Sequence, residues 1–430
     1  MPFSFMKIVR PFTRKGWGHW LLFFLLLAAA GYAGHLLSSI RALTGIRYSI
    51  YHRQLMMRDR SQLYPKRTAL VLLNDADYWG KSFQARTPLK RGELAELIKI
   101  LQAVGVNTIA LDVDLRSPHP DDTDHPDFEF DDYKKEDAQL VAAIHGMCEA
   151  GRHVVLSSSV RFGTDGYEKM PSIYTQFMDQ MPCVTPGYIQ LPFDMRRVPG
   201  TLEITNGPPL DSMSLAVTGI ADPAAHDVAG KNEGHGFRFS EYLTEAEFGP
   251  KNGRQFIFNG QQITNMKIDA LRTQLADKLV FIGAEWHSTA CGTGPLVDQH
   301  NSPGGMEPGA MLHANYVEAM LDRTGTFTPL SDSTAELIEI GVALALAMIG
   351  VLEIHSAWKW AAFGFGIVFS ILFTYTLLQN LGLFLDFFVP MLMIIVHTLV
   401  EEGIKIWHKS RHPNCSAIKK PDAIETAGQP

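Results

Sequence analysis

Residues Trp17–Leu37 (WGHWLLFFLLLAAAGYAGHLL) run for 21 positions without a charged side chain. At 1.5 Å per residue, a helix of that length crosses the ~30 Å hydrocarbon core of a bilayer. Lys7, Arg10, Arg14 and Lys15 precede the run with no acidic residue among them, so the positive-inside bias holds residues 1–16 in the cytoplasm. Ala28, Ala29, Ala30 and Ala33 offer the small-residue cleavage sites of a signal peptide. The run is longer than the usual apolar region of such a peptide, so an uncleaved anchor is expected.

A second apolar block closes the chain. It divides at the Glu353–Lys359 turn and at Gln379, Asn380 and Gly382, which predicts spans over 334–352, 358–378 and 382–400. Four spans return the tail, 401–430, to the cytoplasm. Asp386, His397, Glu353 and His355 lie in or at the edges of these spans, where interfacial placement accounts for them better than an ion pathway. Trp358, Trp360 and Trp407 fit interface anchoring. The implied surroundings are the lipid bilayer of a bacterial inner membrane, with residues 38–333 in the periplasm.

Charge follows the same division. Residues 38–333 carry 28 basic and 37 acidic side chains, or −9, against 10 − 8, or +2, elsewhere, summing to the chain's −7. An acidic outer domain with few phosphate-neutralising cations excludes a nucleic-acid partner. Four cysteines in 430 residues cannot carry a disulfide scaffold. Of the three outer ones, Cys148, Cys183 and Cys291, two can bridge, or all three can serve as small buried hydrophobes.

Within the outer domain, short branched apolar runs alternate with helical patterns. Strands are predicted at Arg67–Asn74, Val106–Leu115, His153–Ser159, Gln255–Asn259 and Lys278–Ala284, and helices at Arg91–Val104, Asp137–Glu149, Ile268–Leu275 and Met311–Leu321. Continuous apolar strands separated by helices predict an α/β domain with a mostly parallel sheet flanked by helices, beside a four-helix transmembrane region.

The segments ALVLLND, PLKRGELAELIKILQAVGVNTIALDVDL, DKLVFIGA and GAMLHANYVEAML resemble the type-two CHASE domain, an extracytoplasmic sensor module of bacterial cyclases and histidine kinases. The likeness runs through most of Leu43–Pro329, and the order of one span, outer domain and three spans is also that family's. It implies ligand or envelope-state sensing, coupled to an effector, in an oligomer. The acidic insert after Ser117 and the extended Asp222–Gly253 region depart from the pattern. The tail, of about 30 residues, is too short for a kinase or cyclase domain, so the effector is expected to be a separate membrane or cytoplasmic protein.

Open α/β sheets place ligands outside the carboxyl ends of their strands. That rule selects Asn74, Asp75 and Asp77 after the first strand, Asp112 and Asp114 on the second, and Glu285 after the last. Arg91, at a helix start, could supply a cation to a carboxylate or phosphate of a small periplasmic ligand. Asp298 and His313 are a further candidate pair in and after a Gly/Pro-rich loop. For Arg91, Asp112 and Asp114 an internal ion-paired or capping set is the competing role.

No metal or other cofactor is expected. The acidic insert Ser117–Asp137 holds His119, His125 and seven acids before Tyr133. It lacks the spacing of a calcium loop, and its dense like charge suits a solvated segment. His226 and His235 read as exposed loop histidines rather than zinc ligands. The nucleophile elbow, Walker loop, dinucleotide fingerprint and zinc-protease motif are all missing from the sequence, so no enzymatic activity is expected. The expected function is that of a sensor or signal relay; the competing one is a structural or assembly subunit whose outer domain docks another envelope protein.

Overall fold

A computed structural model describes residues 59–115, 130–163, 165–170, 181–191, 198–205, 207–230, 242–251, 253–302 and 304–322, with isolated positions at 52, 53, 236, 237, 326, 327, 364, 368 and 372. Among these no helix is long and apolar enough to cross a membrane. Apart from positions 364, 368 and 372, the four expected spans lie outside the described residues.

The strands of the main sheet are β1 (Thr68–Asn74), β2 (Thr108–Leu111), β3 (His153–Ser158), β4 (Val184–Tyr188), β5 (Ile257–Phe258) and β6 (Leu279–Glu285), in the spatial order β5-β1-β6-β2-β3-β4. Every neighbouring pair is parallel, as the continuous apolar strands predict. TALVLL of β1 and LVFIGA of β6 are buried along their whole length, and the two strands pair over seven residues from Thr68↔Leu279 to Asn74↔Glu285.

One face is covered by α2 (Arg91–Val104), α3 (Phe130–Glu149), α7 (Gly260–Asn265) and α8 (Ile268–Leu275). Leu94, Leu97, Ile98 and Leu101 of α2 recur at helical spacing and are buried. The helix stops at Gly105, whose left-handed φ of +106° lets its amide return to Leu101 and Gln102. The opposite face carries α4 (Met213–Ala221), α5 (Pro223–Gly230) and α9 (Gly309–Leu321). Twelve residues of α9 are buried, so this helix lies inside the domain rather than on it. Two short helices, α1 (Asp75–Tyr78) and α6 (Glu245–Phe248), and a hairpin of β7 (Gln299–Ser302) and β8 (Gly305–Pro308) complete what bears on the site.

The elements differ from expectation in several places. The predicted strand Val106–Leu115 is confined to Thr108–Leu111, and the helix expected from Asp137 already begins at Phe130. β4 and α4 occupy a stretch that the sequence pattern leaves irregular. β4 (VTPGY) tolerates Pro186 because it is an edge strand. A Cβ on its Gly187 would come 2.7 Å from the Met213 Cα, so glycine there is what lets α4 lie against the sheet. Cys148 at the end of α3 is disulfide-bonded to Cys183 just before β4, with Cα atoms 5.3 Å apart.

Candidate functional site

β2 ends at Leu111, yet its ladder continues: the Asp112 amide donates to the Ile282 carbonyl at 2.8 Å. The pairings Leu111↔Ile282 and Leu111↔Leu156 set Asp112 level with Gly283 on β6 and Ser157 on β3. That level faces α4 and α9, since a Cβ on Gly283 would lie 2.4 Å from the Ala310 Cβ. Asp112 is therefore largely buried, at 7% exposure. Burial, and then the negative charge of Asp298, push its pKa well above the carboxylate range.

Asp298 comes from the loop before β7 and has a left-handed φ of +58°. Its carbonyl accepts the Gly309 amide at 3.0 Å, and its carboxylate accepts from or pairs with His300 Nε2 at 3.0 Å. A Cβ on Gly309 would fall 2.5 Å from Asp298 Oδ2, so glycine at the first position of α9 is what seats this carboxylate there. One turn on, His313 is fully buried. Its Nε2 lies 3.3 Å from the Ile189 carbonyl and its Nδ1 lies 2.8 Å from Ser214 Oγ of α4. A carbonyl can only accept, so Nε2 carries the proton and Nδ1 accepts from Ser214. Burial pushes the His313 pKa down to about 4, with Ile189 and Asp298 opposing and His300 assisting. The ring is neutral at physiological pH.

Three of the sequence candidates, Asp112, Asp298 and His313, thus meet where β2 and β6 end and α9 begins. The others lie apart from this cluster. Asn74 caps α1, its side chain accepting from the amides of Ala76 and Asp77. Asp77 is buried, and its carboxylate accepts from the Gly260 and Gln261 amides at the start of α7 at 2.9 and 2.8 Å. Asp75 accepts from the His287 amide and ring, both at 2.7 Å. Burial opposes those bonds but does not outweigh them, and the Asp75 carboxyl sits below its ordinary value. Glu285 ends β6 opposite Asn74, and burial, then Glu245, push it up to about 7. Asp114 is exposed. Arg91 is buried against α3, ion-paired with Asp137 and stacked 5.4 Å from the Tyr133 ring centroid. It fastens α2 to α3.

The CHASE2 domain family model matches residues 20–351. The chain belongs to the CHASE2 domain family. The resemblance of the four sequence segments is thereby upheld, and with it membership of a family of extracellular sensing domains. No curated protein and no solved structure matches the chain.

Within this CHASE2 domain, sequence reasoning passed over Ser214 and His300. Ser212-Met213-Ser214 before an apolar run is an N-cap signal, and Ser212 Oγ does accept the Leu215 amide. That signal could have placed Ser214 on a helix, though not beside His313. A second buried polar group, also missed, lies under the hairpin. Glu307 of β8, 3% exposed, accepts from Ser302 Oγ at 2.6 Å and from the Tyr242 hydroxyl. Arg60 and Glu247 form an ion pair nearby at 2.8 Å. Among the described residues no three His, Cys, Asp or Glu side chains are arranged to hold a metal ion. Residues 116–129, most of the acidic insert, lie outside the described residues.

Proposed function

We propose that this CHASE2 protein is an inner-membrane sensor that binds a small ligand at the Asp112–Asp298–His313 cluster without turning it over. The observation that carries the reading is the largely buried Asp112 carboxyl group, close enough to Asp298 to feel its charge, beside the first turn of α9. Burying a carboxyl group beside a second one costs stability, and a ligand that supplies a counter-charge recovers it. The side chains gathered there favour a ligand bearing an ammonium group: the Asp112 and Asp298 carboxyl groups lie close enough to interact, and the one N–H that His313 carries is already directed at Ile189. An ammonium would favour the ionised form of Asp112, opposing the shift that burial and Asp298 impose.

Coupling is assigned to α9, whose N-terminus touches the cluster and whose chain leads on toward the expected span at 334–352. The four spans would carry the bound state to a separate membrane or cytoplasmic partner, with the sensor domain periplasmic and both termini cytoplasmic.

The test is thermal unfolding of the full chain in detergent micelles against ethanolamine, putrescine and spermidine, with acetate and succinate as counter-series. A saturable rise with an amine should disappear in Asp112→Asn, while that variant's own melting point without ligand is kept or raised. If no amine shifts the wild type, or Asp112→Asn responds equally, the site is misassigned.

A further inference from the structure

At the opposite end of the sheet, before the first residues of β1, β5 and β6, lies a cleft of about 290 Å³ lined by Tyr64, Lys66, Arg254, Phe256 and Lys278 among others. Tyr64 and Phe256 stack with centroids 6.1 Å apart and planes 13° from parallel. The Arg254 guanidinium lies 5.7 Å from the Tyr64 ring and the Lys278 ammonium 5.1 Å from the Phe256 ring. The Lys278 ammonium also donates to the Lys66 carbonyl, and aromatic faces rather than carboxylates flank both cations.

The acids nearby are committed elsewhere. Asp322 pairs with Lys66 at 3.0 Å. Glu318 Oε1 accepts from the Arg67 amide, the Thr68 amide and Thr68 Oγ1 at 2.7, 2.7 and 2.9 Å. Neither Arg254 nor Lys278 has a carboxylate within ion-pair distance among the described residues. Burial lowers the Lys278 pKa against the pull of Glu318, and the like charge of Arg254 adds a smaller push in the same direction as burial. A second anion placed between the two would relieve that repulsion.

We propose that this cleft is a phosphate-ester site in which Arg254 and Lys278 bind the phosphoryl oxygens over the Tyr64–Phe256 stack. The guanidinium fork and the ammonium, fixed on two different segments, match the spread of charge over phosphoryl oxygens better than a single carboxylate. The volume suits a glycerol-sized ester rather than a larger ligand. Two sources share that chemistry. The chain is expected to span a membrane, so a phospholipid headgroup is one. A soluble phosphate ester is the other. The site is independent of the Asp112 cluster.

The experiment uses the full chain in maltoside micelles, as wild type, Arg254→Gln, Lys278→Gln and the control Lys81→Gln, with melting as the readout. One arm adds sn-glycerol 1-phosphate; the other dopes the micelles with phosphatidylglycerol. A saturable rise in wild type and control, with the half-maximal concentration raised about tenfold or more in each site variant, supports the proposal. The soluble arm identifies a free ester, and a response in the lipid arm alone identifies a headgroup. Arg254 is exposed, so its variant keeps the test open should Lys278→Gln fail to fold. No rise in either arm, or equal rises in wild type and Arg254→Gln, overturns it.

Discussion

Replacing Glu307 by Gln tests whether the carboxyl group under the hairpin is neutral in the folded domain. Its Oε2 accepts two hydroxyl donors, from Ser302 and Tyr242, and its buried Oε1 has no partner among the described residues. Burial pushes its pKa from the ordinary 4.5 up to about 7; the two donors and Arg60 pull the other way, and Glu247 adds to the rise. The folded state therefore holds a proton between pH 4.5 and 7 that the unfolded state has released. Stability from this group is fully present below about pH 4.5 and is lost as the pH rises through about 7. At 1.36 kcal/mol per pH unit, that interval amounts to roughly 3 kcal/mol. Gln keeps an acceptor for both hydroxyls and cannot titrate. Melting of the full chain in micelles, followed from pH 4.5 to 8, should fall less steeply in Glu307→Gln than in wild type. The gap at pH 8 should favour the variant by roughly 6 °C, at ~2 °C per kcal/mol for a domain of this size. Two parallel curves would refute the reasoning, because they would mean Glu307 is ionised in the folded state throughout. Glu285, also raised to about 7, accounts for a residual slope in the variant.

Two further outcomes follow from packing. Arg91→Ala should lower stability by roughly 3–5 kcal/mol, since it strands Asp137 and unstacks Tyr133; a melting point within about 1 °C of wild type would show that α3 does not depend on this pair. Gly283→Ala should cost roughly 1–3 kcal/mol through the 2.4 Å approach to the Ala310 Cβ, and adding Ala310→Gly should recover most of it, whereas an uncorrected double variant would mean the strain lies elsewhere.

The centre of the sheet was legible because β1 and β6 are buried on both faces and so read as unbroken apolar runs. β4 was not, because Pro186 and Gly187 are residues that single-sequence rules remove from strands, and only its edge position and the closeness of Met213 explain them. Asp112, Asp298 and His313 could each be singled out by residue type and place. Their meeting depends on β6 being inserted between β1 and β2 after the chain has built the other strands. His300 and Ser214 join them through that late insertion and through the left-handed turn at Asp298. No local pattern encodes contacts among residues 112, 214, 298 and 313.

The carboxylate of Glu318 acts as a yoke. A single oxygen at the far end of α9 receives three donors from the first two residues entering β1, and Lys66 and Asp322 close a second tie beside it. The start of β1 and the end of α9 are thereby latched together. Sliding one past the other means breaking several charge-assisted bonds at once, each worth roughly 1.5–3 kcal/mol. A common tilt or rotation of the pair breaks none of them. Motion delivered down α9 would carry the start of β1 with it, and a Glu318→Gln change would loosen that latch.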